Sequence, residues 1–195
     1  MKNIVVFASG SGSNFQSIID AVQAGKISAR ITGLISNKQG IKSLERAENH
    51  QIPIRIISEN EFEIYDEYTK ALLEQLQEWN TDLIILAGYL KKIPSSVIHA
   101  FENRILNIHP SLLPKYGGKG FYGLKVHKSV LDAGDSISGC TIHIVSEEYD
   151  KGRILAQSEV PVYKNDTPQS LAERVLEQEH AIYQKVISNY LTTLS

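Results

Sequence analysis

Residues 3–22, NIVVFASGSGSNFQSIIDAV, carry the strand, loop and helix pattern that decides the fold class. Residues 3–8 are a short and nearly continuous apolar run, which is typical of a strand covered on both faces. After the loop of residues 9–13, apolar residues recur at the spacing of one helical stripe. They are Phe15, Ile18, Ile19 and Val22. The segment therefore predicts a strand, loop and helix unit at the start of a parallel sheet.

The same alternation continues along the chain. Further strands are predicted at residues 30–36, 54–57, 82–87 and 104–108, and helices near residues 41–50, 62–79 and 96–101. Strands that alternate with helices pair in parallel. Two strand-like segments separated by a polar loop predict an antiparallel hairpin at residues 139–145 and 154–160. A closing helix is predicted to start at Thr167 and Pro168. We expect an α/β, Rossmann-like fold with a mostly parallel sheet and helices on both faces.

Composition limits the class of protein. A chain of 195 residues that is 42% hydrophobic can bury one good core, so we expect a single domain over residues 1–195. The formal charge of -2 leaves no basic surplus for nucleic-acid binding. Cys140 is the one cysteine and no secretory leader or apolar membrane-length run is visible, so we expect a soluble, cytoplasmic protein that uses neither nucleic acid nor membrane as a partner.

The loop of residues 9–14, SGSGSN, is a candidate anion site. Its glycines allow a tight turn, and the free N–H groups of the following helix suit a phosphate. A dinucleotide fingerprint is disfavoured, because Phe15 replaces its third glycine and Ser36 ends the next strand in place of an acid. A single phosphate, as on a phosphoribosyl group, matches better. The alternative is a tight turn in which Ser13 or Asn14 caps the helix.

The segment of residues 107–114, NIHPSLLP, raises a second question. Because side chains alternate along a strand, Asn107 and His109 project from the same face, at the strand end that holds ligands in open α/β sheets. An amide beside an imidazole suits holding an oxyanion while moving a proton. A structural histidine is the alternative. Cys140 lies in a strand-like run, so non-covalent acyl transfer is favoured over nucleophilic catalysis.

Three segments together resemble one enzyme family. SGSGSN at residues 9–14, NIHPSLLP at 107–114 and QEH at 178–180 closely resemble the glycinamide ribonucleotide formyltransferases, which are folate-dependent enzymes of purine synthesis. The similarity covers almost the whole chain. It implies the formyltransferase fold and direct formyl transfer from 10-formyltetrahydrofolate, used as a cosubstrate, to glycinamide ribonucleotide, without a metal. Whether the chain forms a homodimer is left open.

The resemblance also implies roles for individual residues. Asn107 and His109 would bind the formyl oxygen, with His109 as proton donor, and Asp150 would hold and charge the imidazole. Glu179 would lie near the ribose or glycinamide end of the substrate, whose phosphate would bind at Gly12, Ser13 and Asn14. The folate pocket would be lined by Asn107 and by two segments: Leu90, Lys91, Lys92 and Ile93, and Ser146, Glu147, Glu148, Tyr149 and Asp150.

The sequence departs from the family pattern at several points. Leu176 stands where a basic residue often lies three positions before Glu179, and residues 61–68 lack an arginine expected there. The glycine-rich segment of residues 115–124 is either a mobile loop beside the site or a surface excursion. His127 and His180 are interpreted as structural or peripheral, and His143 as either an ordinary strand histidine or a neighbour of the catalytic group.

Three other functions share some of these features. A formyltetrahydrofolate hydrolase would carry an added N-terminal regulatory domain, and a methionyl-tRNA formyltransferase an added C-terminal domain and a basic surface. The third is a non-catalytic module that binds a phosphoribosyl ligand, from which turnover would distinguish an enzyme.

Overall fold

The computed structural model describes residues 1–194 and contains a seven-stranded sheet. The strands are β1 (Lys2–Ala8), β2 (Ala29–Ser36), β3 (Ile54–Ile56), β4 (Leu83–Leu86), β5 (Ile105–His109), β6 (Ile137–Ile144) and β7 (Ile154–Pro161). They lie side by side in the order β3-β2-β1-β4-β5-β6-β7. The first five are parallel, β6 is antiparallel to β5, and β7 is antiparallel to β6. The predicted α/β fold with a C-terminal antiparallel hairpin is confirmed.

Helices cover both faces of the sheet. They are α1 (Ser13–Gln23), α2 (Lys42–Asn49), α3 (Tyr65–Glu78), α4 (Ser95–Ala100), α5 (Leu124–Asp132) and α6 (Pro168–Leu191), with a 3₁₀ turn at Glu59–Glu61. Alternate residues of β1 face opposite cores: Ile4 and Val6 pack in the cluster shared with α1 and α6, whereas Val5 and Phe7 pack in the cluster shared with α3 and α4. This two-sided burial explains why β1 is apolar almost throughout.

Helix α5 was not predicted from the sequence. It follows the glycine-rich segment directly and buries Val126, His127 and Val130, so its inner face includes a polar side chain. A nine-residue helix with one buried histidine leaves a weak apolar stripe. The stripe is therefore hard to recognise before tertiary packing is known.

Helix α6 is tied to the centre of the sheet. The buried hydroxyl of Tyr183 lies 3.0 Å from the carbonyl oxygen of Leu86 at the end of β4 and 3.1 Å from that of Leu106 in β5. A single O–H proton is thus shared between two neighbouring strands. The contact fixes α6 against the part of the sheet where the candidate site lies.

The order of the strands creates a crevice at one edge of the sheet. Strand β1 lies between β2 and β4. After β1 the chain adds β2 and β3 on one side of it, and then adds β4 and β5 on the other side. At such a switch point, the loops that follow adjacent strands diverge and leave room for a ligand. The loops after β1, β4 and β5 meet there, and these loops contain the segments singled out in the sequence.

Candidate active site

Asn107 and His109 project from the same face of β5, as predicted. The antiparallel register places His143 of β6 opposite Asn107. Nδ1 of His143 lies 2.9 Å from the carbonyl oxygen of Ile144 and therefore carries a proton. In the neutral ring, Nε2 then accepts a hydrogen bond from Nδ2 of Asn107, at 3.0 Å. His143 thus orients the Asn107 amide, which selects the second of the two interpretations offered for this histidine.

Asp150 joins the group from the loop between β6 and β7. Its Oδ2 lies 3.6 Å from Nδ1 of His109, and its Oδ1 lies 3.4 Å from Nε2 of His143. The side chains of His109 and Asp150 are only 6% and 11% exposed. The fold therefore brings together three side chains that lie up to 43 positions apart in the sequence, as expected: Asn107, His109 and Asp150.

Residues of the glycine-rich segment complete this group. Nε2 of His109 donates to the carbonyl oxygen of Tyr116 at 2.8 Å, and the N–H of Gly118 donates to Oδ2 of Asp150 at 2.8 Å. The Tyr116 hydroxyl in turn donates to Asp135. Of the two interpretations of this segment, the structure favours a loop beside the site. Its backbone contacts could not be read from side-chain types.

The charges of the pair depend strongly on burial. Burial lowers the pKa of His109, although the Asp150 carboxylate and the hydrogen bond to Tyr116 act in the opposite direction. For Asp150, burial alone would raise the pKa, but the nearby imidazoles of His143 and His109 and the hydrogen bond from the N–H of Gly118 give a net lowering. The carboxylate is therefore ionised at neutral pH. Asp150 thus opposes the effect of burial on His109, as expected, but desolvation is the larger influence on the imidazole in this arrangement.

The loop of residues 9–14 leads into the N-terminus of α1. Gly12 takes the N-cap position with φ of 69°, and no side chain within residues 1–194 caps this helix. The alternative of a turn capped by Ser13 or Asn14 is therefore not supported, and the first-turn N–H groups remain available to an anion. Arg46 of α2 adds a cation beside the loop, since its Nε donates to the carbonyl oxygen of Ser11 at 2.9 Å. Sequence reasoning missed Arg46.

Glu179 lies on the buried face of α6 and contacts the same loop. Its Oε2 accepts a hydrogen bond of 2.7 Å from Nδ2 of Asn14. The residue is 7% exposed, and burial raises the pKa of its carboxyl to about 7, against the lowering effect of Asn14. Oδ1 of Asn14 is buried and has no hydrogen-bond partner among the described residues. The pair therefore offers both a titrating acid and an unused acceptor.

The two predicted folate segments border the catalytic group. Leu86 of β4 pairs with Asn107, so residues 88–93 follow directly from the point opposite the amide. Ile93 is buried, whereas Leu90, Lys91 and Lys92 are exposed. In the other segment, Ser146 is half-buried and Glu147, Glu148 and Tyr149 are exposed. Tyr89, which the sequence analysis did not single out, is buried edge-on against Phe7 at 5.2 Å between ring centroids.

The remaining candidate groups offer little chemistry. Burial lowers the pKa of His127 to about 4 and raises that of the Cys140 thiol to about 12, so both are neutral near pH 7. Across the described part of the chain, no set of three His, Cys, Asp or Glu side chains is placed to hold a metal ion. Nor is any helix of residues 1–194 long and apolar enough to cross a membrane.

Comparisons with known proteins identify the family. The family described as formyl transferase matches residues 2–187 of this chain. The chain belongs to the formyl transferase family. Members of this family take the formyl group from a folate-derived donor.

Two relatives of this chain share one name. The chain is 47% identical to phosphoribosylglycinamide formyltransferase, chloroplastic, from Arabidopsis thaliana over 95% of this chain and 64% of that protein. It is 42% identical to phosphoribosylglycinamide formyltransferase from Haemophilus influenzae over 96% of this chain and 86% of that protein. The chain thus spans less than two thirds of the plant relative.

A solved structure agrees with the fold. The crystal structure of phosphoribosylglycinamide formyltransferase from Bacillus halodurans superposes with a TM-score of 0.92 at 33% identity, covering 100% of this chain and 97% of that chain.

Proposed function

We propose that this chain is a single formyltransferase domain that acts on glycinamide ribonucleotide. It transfers the formyl group of 10-formyltetrahydrofolate to the amine of N1-(5-phospho-D-ribosyl)glycinamide, in the cytoplasm, as a step of de novo purine biosynthesis. The products are formylglycinamide ribonucleotide and tetrahydrofolate. The observation that carries the proposal is the placement of an uncapped helix N-terminus and the Asn107, His109 and Asp150 group at one edge of the sheet. The names of the relatives support the choice of substrate.

The ribonucleotide is assigned to the loop of residues 9–14. Its phosphate accepts hydrogen bonds from the backbone at Gly12, Ser13 and Asn14, where the positive end of the α1 dipole favours an anion. Arg46 adds positive charge nearby. The buried Oδ1 of Asn14 and the carboxyl of Glu179 then face the ribose or glycinamide end, where polar hydrogens can satisfy them.

The folate is assigned to the segments that flank β5. Leu90, Lys91, Lys92 and Ile93 line one side, and residues 146–150 line the other, with Asn107 between them. The exposed lysines suit a ligand that carries carboxylates. In this proposal, the formyl group lies beside Asn107 and His109, with its carbon toward the ribonucleotide amine.

The geometry supports direct transfer. The neutral amine attacks the formyl carbon, and the oxygen develops negative charge that Nδ2 of Asn107 and the Nε2–H of His109 stabilise. His109 exchanges its bond to Tyr116 for one to this oxygen. The attacking nitrogen loses a proton and N10 of the folate gains one as the C–N bond to the folate breaks, so that the step balances. Burial disfavours an isolated imidazolium, but a neighbouring oxyanion and Asp150 together favour it, so the charged form is stabilised where charge develops.

The test is a turnover assay with both substrates. Protein is mixed with 10-formyltetrahydrofolate and glycinamide ribonucleotide, and tetrahydrofolate release is followed with and without the ribonucleotide. We expect release that depends on the ribonucleotide and that falls about 100-fold or more in His109→Ala. Equal release in both reactions would indicate a hydrolase instead, and binding without turnover would indicate a non-catalytic module.

A further inference from the structure

Ser9 lies where the two proposed substrate segments meet. It is the first residue after β1 and begins the loop assigned to the phosphate, yet it is only 4% exposed. Its hydroxyl donates to Oδ1 of Asn37, which follows β2, at 2.6 Å. The same oxygen accepts a hydrogen bond of 3.0 Å from the N–H of Leu90, in the segment assigned to the folate. One side chain therefore joins three loops at the crevice.

The direction of these bonds is fixed by chemistry. Oδ1 of Asn37 can only accept, so the single hydroxyl proton of Ser9 is committed to it. The lone pairs of the Ser9 oxygen are then free to receive Leu90 N–H. Asn37 thus orients the hydroxyl, and the hydroxyl holds the Leu90 backbone.

The backbone provides a second connection at the same place. The N–H of Ser9 donates to the carbonyl oxygen of Gly88 at 3.2 Å. Gly88 has φ of 73°, so the chain turns sharply after β4 before it reaches Leu90. Ser9 thus donates one hydrogen bond to Gly88 before this turn and accepts one from Leu90 after it, and the two bonds set where residues 88–93 begin. A displacement of the phosphate loop at Ser9 is therefore passed on to the folate segment.

We propose that Ser9 is a positioning residue that couples the two substrate sites. Binding of the ribonucleotide phosphate orders the loop of residues 9–14, and through Ser9 it orders residues 88–93 for the folate. By linkage, each ligand raises the affinity for the other by the same factor. This inference rests on the proposed function, because it takes the two segments to be the two substrate sites.

The test measures the coupling directly by calorimetry. The Kd of glycinamide ribonucleotide is determined alone and in the presence of saturating tetrahydrofolate, and the ratio of the two values is compared between variants. We expect a ratio of about 5 or more in the unaltered protein, which is the low end for coupled sites. In Ser9→Ala the ratio falls to about 1, while each ligand still binds alone.

Two further variants separate coupling from stability. Asn37→Ala removes the acceptor that orients the Ser9 hydroxyl without altering the buried end of β1, and we expect it to lower the ratio of Kd values as well. Asn37→Asp keeps an acceptor at this position, so the ratio should be retained. Ser36→Ala is the matched control, because Ser36 is also a fully buried serine at this edge but its hydroxyl bonds to the backbone of Lys38. It retains the ratio.

The outcomes distinguish the failure of this inference from that of the proposed function. A Ser9→Ala ratio equal to that of the unaltered protein, or an equal fall in Ser36→Ala, would overturn the coupling role. An unaltered protein that turns over both substrates with a ratio near 1 would also overturn it while leaving the proposed function intact. An unaltered protein that binds neither compound would remove both.

Discussion

Replacing Asp150 by asparagine tests the catalytic group with little change in shape. Asp150 has φ of 55°, a left-handed conformation that asparagine adopts about as readily as aspartate. An asparagine oxygen can still accept the 2.8 Å hydrogen bond from Gly118. The backbone and the loop contact are therefore retained, and the negative charge beside His109 is what is lost.

The size of the effect follows from the distance. At 3.6 Å, the carboxylate and a protonated imidazole attract by about 4 to 5 kcal/mol at an effective dielectric constant of about 20. Part of this is recovered, because an asparagine dipole still faces the ring. We expect turnover to fall about 100- to 1,000-fold, or roughly 3 to 4 kcal/mol in activation free energy. Ribonucleotide affinity should change little, because the proposed phosphate contacts lie at residues 12–14 and Asp150 bonds to none of these residues.

The pH profile provides the decisive assay. The carboxylate raises the pKa of His109 against the lowering effect of burial, so its removal lowers that pKa further. In a plot of kcat against pH, the activity of Asp150→Asn should therefore begin to fall at a lower pH than that of the unaltered protein. A folded Asp150→Asn protein with the original turnover and an unmoved basic limb would show that Asp150 acts only in the structure of its loop.

Three other substitutions test the phosphate loop and its buried acid. Ser13→Asp should raise the Kd of the ribonucleotide about tenfold or more, because a carboxylate at the N-terminus of α1 repels phosphate, and should leave tetrahydrofolate affinity unchanged. Calorimetry that finds the same ribonucleotide affinity in the variant and the unaltered protein would refute the phosphate site. Gly12→Ala should lower the free energy of unfolding in urea by about 1 to 3 kcal/mol, because φ is positive and a Cβ would lie 2.7 Å from that of Ser43. Gly10→Ala is its control, since no described atom beyond Gly10 and its two chain neighbours lies within 4 Å of the added carbon, and equal losses of stability would contradict the reasoning. Folding raises the pKa of the Glu179 carboxyl to about 7, so the unaltered protein should lose roughly 2 to 4 kcal/mol of stability as pH rises from about 4.5 to 7. Glu179→Gln should abolish this loss. Parallel plots of stability against pH for the two proteins would argue against the prediction.

Sequence patterns were sufficient where the chemistry is local. The alternation along residues 104–109 placed Asn107 and His109 on one face, and β5 shows that arrangement. The glycines and serines of residues 9–14 indicated a loop before a helix, and Gly12 takes the positive φ that such a turn requires. Asp150 was found through family resemblance alone, because its approach to His109 depends on the register of β6 and on the loop that follows it.

The parts that were missed depend on distant contacts. Ser9 and Leu90 are 81 residues apart, and the bond between them forms only because β1 and β4 are neighbours in the sheet. The lowering of the pKa of His109 by burial was not foreseen, because desolvation is not visible in a list of residue types. Arg46 was missed because its hydrogen bonds to Ser11 and Gln16 depend on how α2 packs beside α1.

The hydroxyl of Tyr183, shared between Leu86 and Leu106, has a consequence for ligand selectivity. The two carbonyls belong to adjacent strands, one of which leads into residues 88–93 and the other of which carries Asn107. Because the two strands are paired with each other and are both attached to one phenol, we expect the sheet beneath the proposed site to move less than the loops around it. Substrates or inhibitors of different bulk must then be accommodated by residues 115–123 and 145–153. Attempts to engineer a different acceptor should therefore begin with those loops and leave the strands unchanged.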